Sequence, residues 1–327
     1  MVYYDIIGDV HGCATELKAL LGRLGYVEDA SGVYRHPERT AVFVGDLVDR
    51  GGEQLEVLQV VKAMVDAGSA KAVMGNHEFN AICWATKDPE TGEPIRPHSD
   101  QNRNQHGEFL ELTDEDQASY IEWFKTLPLW LNLGGIRVVH ACWHEDSMKA
   151  VRKITGSDRL STPEHFAEAN RKDTVLNKAI EVLLKGPEIP LLDHGMVPFW
   201  DGEAKKTRKD ARIKWWDHDA TTMPELAELT GFKLENGDPY PHFESRPVTD
   251  PKYLDFVYKD RVPLFYGHYW REWERHRDEW TTYTACIDFR EATLVAYRWS
   301  GEPEIHWENY IPHDSQVVAP TPADVTN

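Results

Sequence analysis

The sequence predicts an α/β protein, a central β-sandwich flanked by helices, with its chemistry in loops at the ends of strands. Two observations lead there: a strand, loop and helix unit that recurs three times before residue 90, and a C-terminal part rich in short strands. Residues 2–7 read as a short buried strand that stops at Gly8, after which Leu17, Leu20, Leu21 and Leu24 share one helical face. Residues 41–44 lead into a loop at 45–52 and then into Leu55, Leu58, Val61 and Val65, again at helical spacing. Residues 71–74 open the third unit, followed by a loop at 75–78 and an apolar stretch.

Between the first two units, Tyr26, Val27, Val33 and Tyr34 flank a turn at 29–32, which predicts a small hairpin. Residues 87–107 carry prolines, asparagines and histidines without a helical or strand period and read as a long loop. Residues 135–140 and 264–266 read as further strands, the second ending at Gly267-His268. Residues 283–289 and 293–299 alternate about a turn containing Glu291, as consecutive antiparallel strands do. The expected organisation is one domain over residues 1–312 with a long insertion at about 144–260, then a disordered tail over 313–327.

The 327 residues are 41% hydrophobic and 28% charged, a soluble globular composition. No apolar run approaches the roughly 20 residues of a membrane helix. The N-terminus lacks the basic start and apolar stretch of a secretory signal, so the expected location is cytoplasmic and no membrane partner is expected. Cys13, Cys83, Cys142 and Cys286 are scattered, which argues against a disulfide framework or a zinc knuckle. With 36 basic and 55 acidic residues the net charge is -19, which disfavours non-specific nucleic-acid binding. An anionic substrate would need local positive charge, from bound metal or a few arginines.

Three loops after strands carry dense polar sequences: Gly8-Asp9-Val10-His11-Gly12, Gly45-Asp46-Leu47-Val48-Asp49-Arg50-Gly51 and Gly75-Asn76-His77-Glu78. Asp9 and His11 are two apart, so an extended segment points both to one side, where a carboxylate and an imidazole can hold one metal ion. A single Gly-Asp or Gly-Asn pair is also a common turn. Three such loops in order, each closing an apolar strand, exceed what turns require.

These motifs resemble the calcineurin-like metallophosphoesterases, in particular the branch of the phosphoprotein phosphatases and the symmetrical diadenosine tetraphosphatases. The resemblance runs from Tyr3 to about Trp143 and resumes at Tyr266-Gly267-His268 and at Ala285-Cys286-Ile287-Asp288. It implies the metallophosphoesterase-like sandwich and two divalent metal ions, with manganese favoured and iron or zinc as alternatives. It further implies that Asp9 and His11 hold the first metal, that Asp46 bridges both, and that Asn76, His140 and His268 complete the second. The implied reaction is attack of a metal-bridging hydroxide on a phosphate ester. His77 would protonate the leaving group, Asp49 would orient His77, and Arg50 would grip the phosphoryl oxygens. Cys142 stands where the family commonly has glycine, and reads either as a buried thiol or as a thiol near the metals. His144 reads as a surface residue or as a partner of the ligands.

Several features bear on the substrate. Lys205, Lys206, Arg208, Lys209, Arg212 and Lys214 form a basic cluster before Trp215 and Trp216, either a phosphate-attracting surface or a solvated helix face over packed tryptophans. Arg208, Arg212, Arg246 and Arg261 are candidates for a second phosphate-binding arginine. Trp270, Trp273 and Trp280, with Arg271, Arg275 and Arg277, could hold a nucleobase or peptide, or be core. The leading expectation is hydrolysis of phosphomonoesters, either phosphoserine and phosphothreonine proteins or small phosphomonoesters. The alternative is a dinucleoside polyphosphate (Ap4A-type) hydrolase, and a remote one is a non-catalytic phosphate-binding scaffold.

Overall fold

The computed structural model describes residues 2–202, 205–229, 231–244, 247–248, 250–273, 281–289 and 294–314. Glu291 and residues 315–327 of the expected tail lie outside the described residues, as do Arg246, Arg275, Arg277 and Trp280. The chain begins with β1 (Tyr3–Ile7), α1 (Ala14–Leu24), β2 (Val27–Glu28), β3 (Tyr34–Arg35), β4 (Arg39–Phe43), α2 (Gln54–Asp66) and β5 (Ala70–Ala72). Helices α3 (Asn76–Ala85), α4 (Asp100–Gln105), α5 (Gly107–Leu110) and α6 (Asp114–Phe124) lead to β6 (Trp130–Asn132) and β7 (Arg137–Val139). Then come α7 (Glu145–Thr155), α8 (Pro163–Asn170) and α9 (Val175–Lys185), β8 (Glu188–Pro190), β9 (Phe199–Asp201), β10 (Lys206–Arg208) and β11 (Asp210–Arg212). After α10 (Met223–Leu226) and α11 (Pro251–Leu254), the chain ends with β12 (Leu264–Tyr266), β13 (Thr284–Cys286), β14 (Val295–Trp299) and β15 (Tyr310–Pro312).

The chain divides into two compact units, the first made from Met1–Ala141, Glu145–Lys185 and Arg261–Asn327, the second from Cys142–His144 and Gly186–Asp260. Residues 145–185, counted with the insertion on sequence grounds, therefore cluster with the first unit as the helices α7, α8 and α9.

The first unit is a β-sandwich. Its larger sheet has the order β15-β14-β1-β4-β5 and its smaller one β13-β12-β7-β6. Strands β1, β4 and β5 run parallel because α1 and α2 lie in the connections and return the chain to the same edge. Ile6 of β1 sits beside Val42 and Tyr297 in register, and these residues turn to one face. They meet Val138, Phe265 and Ala285 of the smaller sheet in one apolar cluster, with the Phe265 and Tyr297 rings 4.8 Å apart. Trp273 joins that cluster against Phe289 and Trp307, so the core reading of this tryptophan holds.

The hairpin between the first two units is present as β2 and β3, with Asp29 Oδ1 accepting from the Ser31 and Val33 backbone N–H groups in the turn. Two expectations change. Strands β13 and β14 are not hairpin partners: β13 pairs with β12 in the smaller sheet and β14 with β1 in the larger. Their alternating apolar residues face each other across the core, a relation that period-2 patterning does not distinguish from pairing in one sheet. The stretch 87–107 is not all loop, since α4 starts after Ser99, whose hydroxyl caps the Asn102 N–H.

In the second unit, β8 pairs with β11 and β9 with β10, both antiparallel. The basic cluster lies on and around β10 and β11, so it is not a helix face, and Arg208 is engaged by Asp201 at 2.8 Å. Trp215 and Trp216 are buried. His144 packs on Phe256 with ring centres 4.7 Å apart.

An ion-paired triad centred on a buried carboxylate lies inside the first unit. Asp5, fully buried on β1, accepts from Arg39 Nε at 2.9 Å and from Arg298 Nε at 3.0 Å. The same arginines bond the carbonyls of Tyr4, Trp299 and Leu24, so the triad ties α1, β1, β4 and β14 together. Removing one member of a buried ion pair leaves the others uncompensated. Asp5→Ala is therefore expected to lower unfolding stability by about 3–5 kcal/mol in urea denaturation. An unchanged midpoint would show that the triad contributes nothing net.

Candidate functional site

Five segments that follow strands bring polar residues to one edge of the first unit. Asp9 and His11 follow β1, Asp46, Asp49 and Arg50 follow β4, and Asn76 and His77 open α3 after β5. His140 follows β7 and His268 follows β12, again parallel neighbours. The loops are stitched together by backbone bonds: Val10 N and His11 N donate to Asp46 O at 3.0 and 2.9 Å, and Gly267 N donates to His140 O at 2.8 Å.

The backbone is strained where the candidate residues sit. Among the described residues seven non-glycine residues have positive φ, and five of them are His11 (46°), Asp46 (48°), Asp49 (69°), Arg50 (74°) and His268 (66°). Such conformations cost free energy and persist only where the surroundings hold them. Here Glu78 is one holder: it is fully buried, its Oε2 accepts from Asp46 N (2.9 Å) and Gly75 N (2.8 Å), and its Oε1 accepts from Leu47 N (2.8 Å). Two glycines are required by close approach. A Cβ on Gly267 would lie 2.0 Å from Asp9 Oδ1, and one on Gly75 would lie 2.3 Å from Asp46 Oδ1.

Two groups of side chains are spaced to hold a cation: His11, Asp46 and His77, and Asp46, His140 and His268, with ligand atoms within 4.8 Å of one another in each. Asp46 belongs to both. Asn76 joins the second group, its Oδ1 lying 3.1 Å from His140 Nε2. Asp9 stands outside the first group as spaced here; its Oδ2 accepts from His268 N at 3.1 Å, and its Oδ1 is buried without a hydrogen-bond partner.

Two imidazoles are oriented for ligation. His140 Nδ1 donates to Val44 O at 2.8 Å and His11 Nδ1 donates to Val48 O at 3.0 Å, because a carbonyl can only accept. In the neutral ring each Nε2 then keeps its lone pair, on the side facing Asp46. Burial, reinforced by nearby His77, pushes His11 down to about 3, so its ring is neutral. Burial and the charges of Asp288 and Asp46 raise the Asp9 carboxyl well above its ordinary range, and burial above all raises Asp288 to about 6. Asp46 is held well below the ordinary range: burial opposes this, but His140 and His77 outweigh it. Imidazoles, an amide oxygen and crowded carboxylates with an unused buried oxygen are donors that fit divalent transition metals, which take the imidazoles in their neutral form.

Within the first group, His77 Nδ1 also lies 2.6 Å from Asp49 Oδ2. Burial works against the charged ring, yet Asp46 and Asp49 lift His77 to about 9. Arg50 is exposed, and its charge reaches Asp9, His11 and His77. Asp49 has a second imidazole partner that sequence reasoning missed: His106 Nδ1 lies 3.0 and 3.1 Å from its two oxygens. Glu78 was visible within its motif but carried no role; its place three residues after Gly75, at the start of a helix, was the available signal. Of the candidate second arginines, Arg208 and Arg212 belong to the second unit and Arg261 is exposed. Cys142 is buried and burial pushes its thiol up, so it behaves as an inert packing residue.

Among known proteins, the chain is similar to the asymmetrical bis(5'-nucleosyl)-tetraphosphatase PrpE of Bacillus velezensis, 35% identical over 158 residues, which cover 46% of this chain and 61% of that protein. It is similar to the same-named protein of Halalkalibacterium halodurans, 53% identical over 75 residues, covering 23% and 30%. The chain thus spans less than two thirds of the length of these curated relatives. A solved protein serine/threonine phosphatase from Saccharomyces cerevisiae, with similarity to human phosphatase PP5, superposes with a TM-score of 0.47 at 15% identity, covering 95% of this chain and 78% of that one. The model of the calcineurin-like phosphoesterase family matches residues 4–269, most of the sequence, and the chain belongs to that family.

Proposed function

We propose that the chain is a dinuclear-metal phosphoesterase acting on phosphomonoesters, phosphoserine or phosphothreonine in proteins or small esters. The observation that carries this reading is the His77–Asp49 pair at 2.6 Å together with the two cation-spaced groups that share Asp46, one of which includes His77. Asp9, His11 and Asp46 would hold one metal, and Asp46, Asn76, His140 and His268 the other, with manganese preferred. A bound divalent pair supplies Lewis-acid chemistry, lowering the pKa of water and neutralising phosphoryl charge. The chain's own residues do the rest. Arg50 binds phosphoryl oxygens through charge-assisted hydrogen bonds. His77, protonated on Nε2, gives that proton to the departing oxygen, while Asp49 holds Nδ1 and stabilises the charged ring. A positioned acid matters most for an alkoxide leaving group, which is why monoesters lead. Among the described residues no helix is long and apolar enough to cross a membrane.

A second reading, hydrolysis of dinucleoside polyphosphates, draws support from the relatives named bis(5'-nucleosyl)-tetraphosphatase. The two are separated by product analysis. Manganese-loaded protein given phenyl phosphate, a phosphothreonine peptide and diadenosine tetraphosphate is expected to release inorganic phosphate from the first two faster than it forms nucleotides from the third. The reverse order would replace the monoester reading with the polyphosphate one.

Two further outcomes test the site. His77→Asn is expected to lower kcat on phenyl phosphate by about 10²–10⁴-fold, the usual contribution of a general acid, and full activity in that variant would remove His77 from the reaction. Chelation is expected to lower the thermal midpoint and manganese at about 100 times its Kd to restore about 2.7 kcal/mol. That metal-dependent gain should vanish in Asp46→Asn, the residue common to both groups, and its persistence there would contradict a shared ligand.

A further inference from the structure

His106 lies in the polar stretch that the sequence presents as a loop, 57 residues from Asp49, yet its ring is 2% exposed and its Nδ1 addresses both Asp49 oxygens. With a carboxylate accepting, Nδ1 carries the hydrogen. Asp49 Oδ2 faces His77 and Oδ1 faces His106, so the carboxylate is clasped by two imidazoles from different segments. One donor would leave it free to turn about its side-chain bonds, whereas two donors on two oxygens fix its plane.

The remainder of the His106 environment fits a placed donor better than a packing residue. The ring stacks on Phe109, with centres 5.0 Å apart and planes at 25°, and lies 6.3 Å from Trp84. A phenyl ring would satisfy those neighbours. The imidazole instead brings a second nitrogen, Nε2, that is buried without a hydrogen-bond partner, a cost that packing alone does not require. The segment is also braced against the helix that carries His77. Arg96 spans from Asn80 Oδ1 on α3 (2.8 Å) to Gln105 Oε1 (2.9 Å), the residue before His106. His98 stacks on Trp84 of the same helix at 3.8 Å and bonds its carbonyl at 2.9 Å.

We propose that His106 is a positioning residue for the reaction: it holds the Asp49 carboxylate, and through it aims the His77 imidazole at the leaving oxygen. The inference rests on the reading of His77 as the acid. His106 is not a member of the candidate cation groups, and acts through Asp49.

The test compares wild type, His106→Phe and His106→Asn as full-length, manganese-loaded proteins on phosphate esters whose leaving groups run from dinitrophenol to phenol to a simple alcohol. The Phe variant keeps the stack on Phe109 and loses the donor. The Asn variant offers an amide N–H near the position of Nδ1. His106→Phe is expected to lower kcat on phenyl and alkyl phosphate by about 10–100-fold, the range seen when a partner of a site residue is removed, with KM nearly unchanged. On dinitrophenyl phosphate, whose leaving group needs no proton, it should lose less than about threefold, and His106→Asn should recover most of the loss. In an Asp49→Asn background His106→Phe should add nothing further. A loss equal across all leaving groups, or none at all, would overturn the proposal.

A readout without turnover separates this from the hydrolase reading. In the metal-free protein, the His77 Nδ1–H resonance is expected downfield in wild type and His106→Asn and shifted or broadened in His106→Phe. An identical resonance in all three overturns the positioning role. Wild-type protein that hydrolyses none of the esters would overturn the hydrolase reading, and this inference with it.

Discussion

Asp46 and Glu78 are two buried carboxylates on either side of one stretch of backbone, and the rest of the site depends on how they are satisfied. Three backbone N–H groups, those of Gly75, Asp46 and Leu47, bond to Glu78, which draws the start of α3 against the loop after β4. Asp46 in turn accepts from His77 N at 3.0 Å. Burial and Asp46 raise the Glu78 carboxyl, so the arrangement is not relaxed. It holds because the alternative, a buried carboxylate without donors, costs more. Released from Glu78, Asp46 would have little reason to remain at a φ of 48°, and both candidate metal groups contain it.

Under the proposed function, an acidic chain of net charge -19 would present a site for a phosphate. Positive potential would then be built locally, by bound cations and Arg50, and would not come from the general surface. Asp9, Asp46 and Asp288 crowd at the strand ends, His11 is neutral, and Arg50 stands at the rim. Under the proposed function such a cluster would attract divalent cations first, and these would attract phosphate oxygens. The basic residues of β10 and β11 belong to a different unit, and Arg208 there is already neutralised by Asp201.

Much of this was legible in the sequence because the loops after β1, β4 and β5 combine an apolar strand, a glycine and ligand-type side chains within a few residues. Those features are local, and so was the hairpin of β2 and β3. His106 and the pairing of β13 and β14 were not legible, for one reason. Each depends on which distant segment lies alongside: a loop histidine gains meaning only beside Asp49, and alternating residues look the same whether their strand pairs in one sheet or faces another. Helix α4 differs, since Ser99 and Asp100 do carry a capping signal, outweighed by the prolines and the lack of apolar period around it.

The sequence by itself determined the α/β class, the family and the residue types at the strand ends, because hydrophobic period, glycine placement and motif order are written along the chain. Tertiary structure alone decided that Glu78 holds the backbone of Asp46 and that Asp49 lies between two imidazoles. These are distances between segments tens of residues apart. They are set by parallel strands that deliver their C-terminal ends to one edge and by a core that fixes the two sheets face to face.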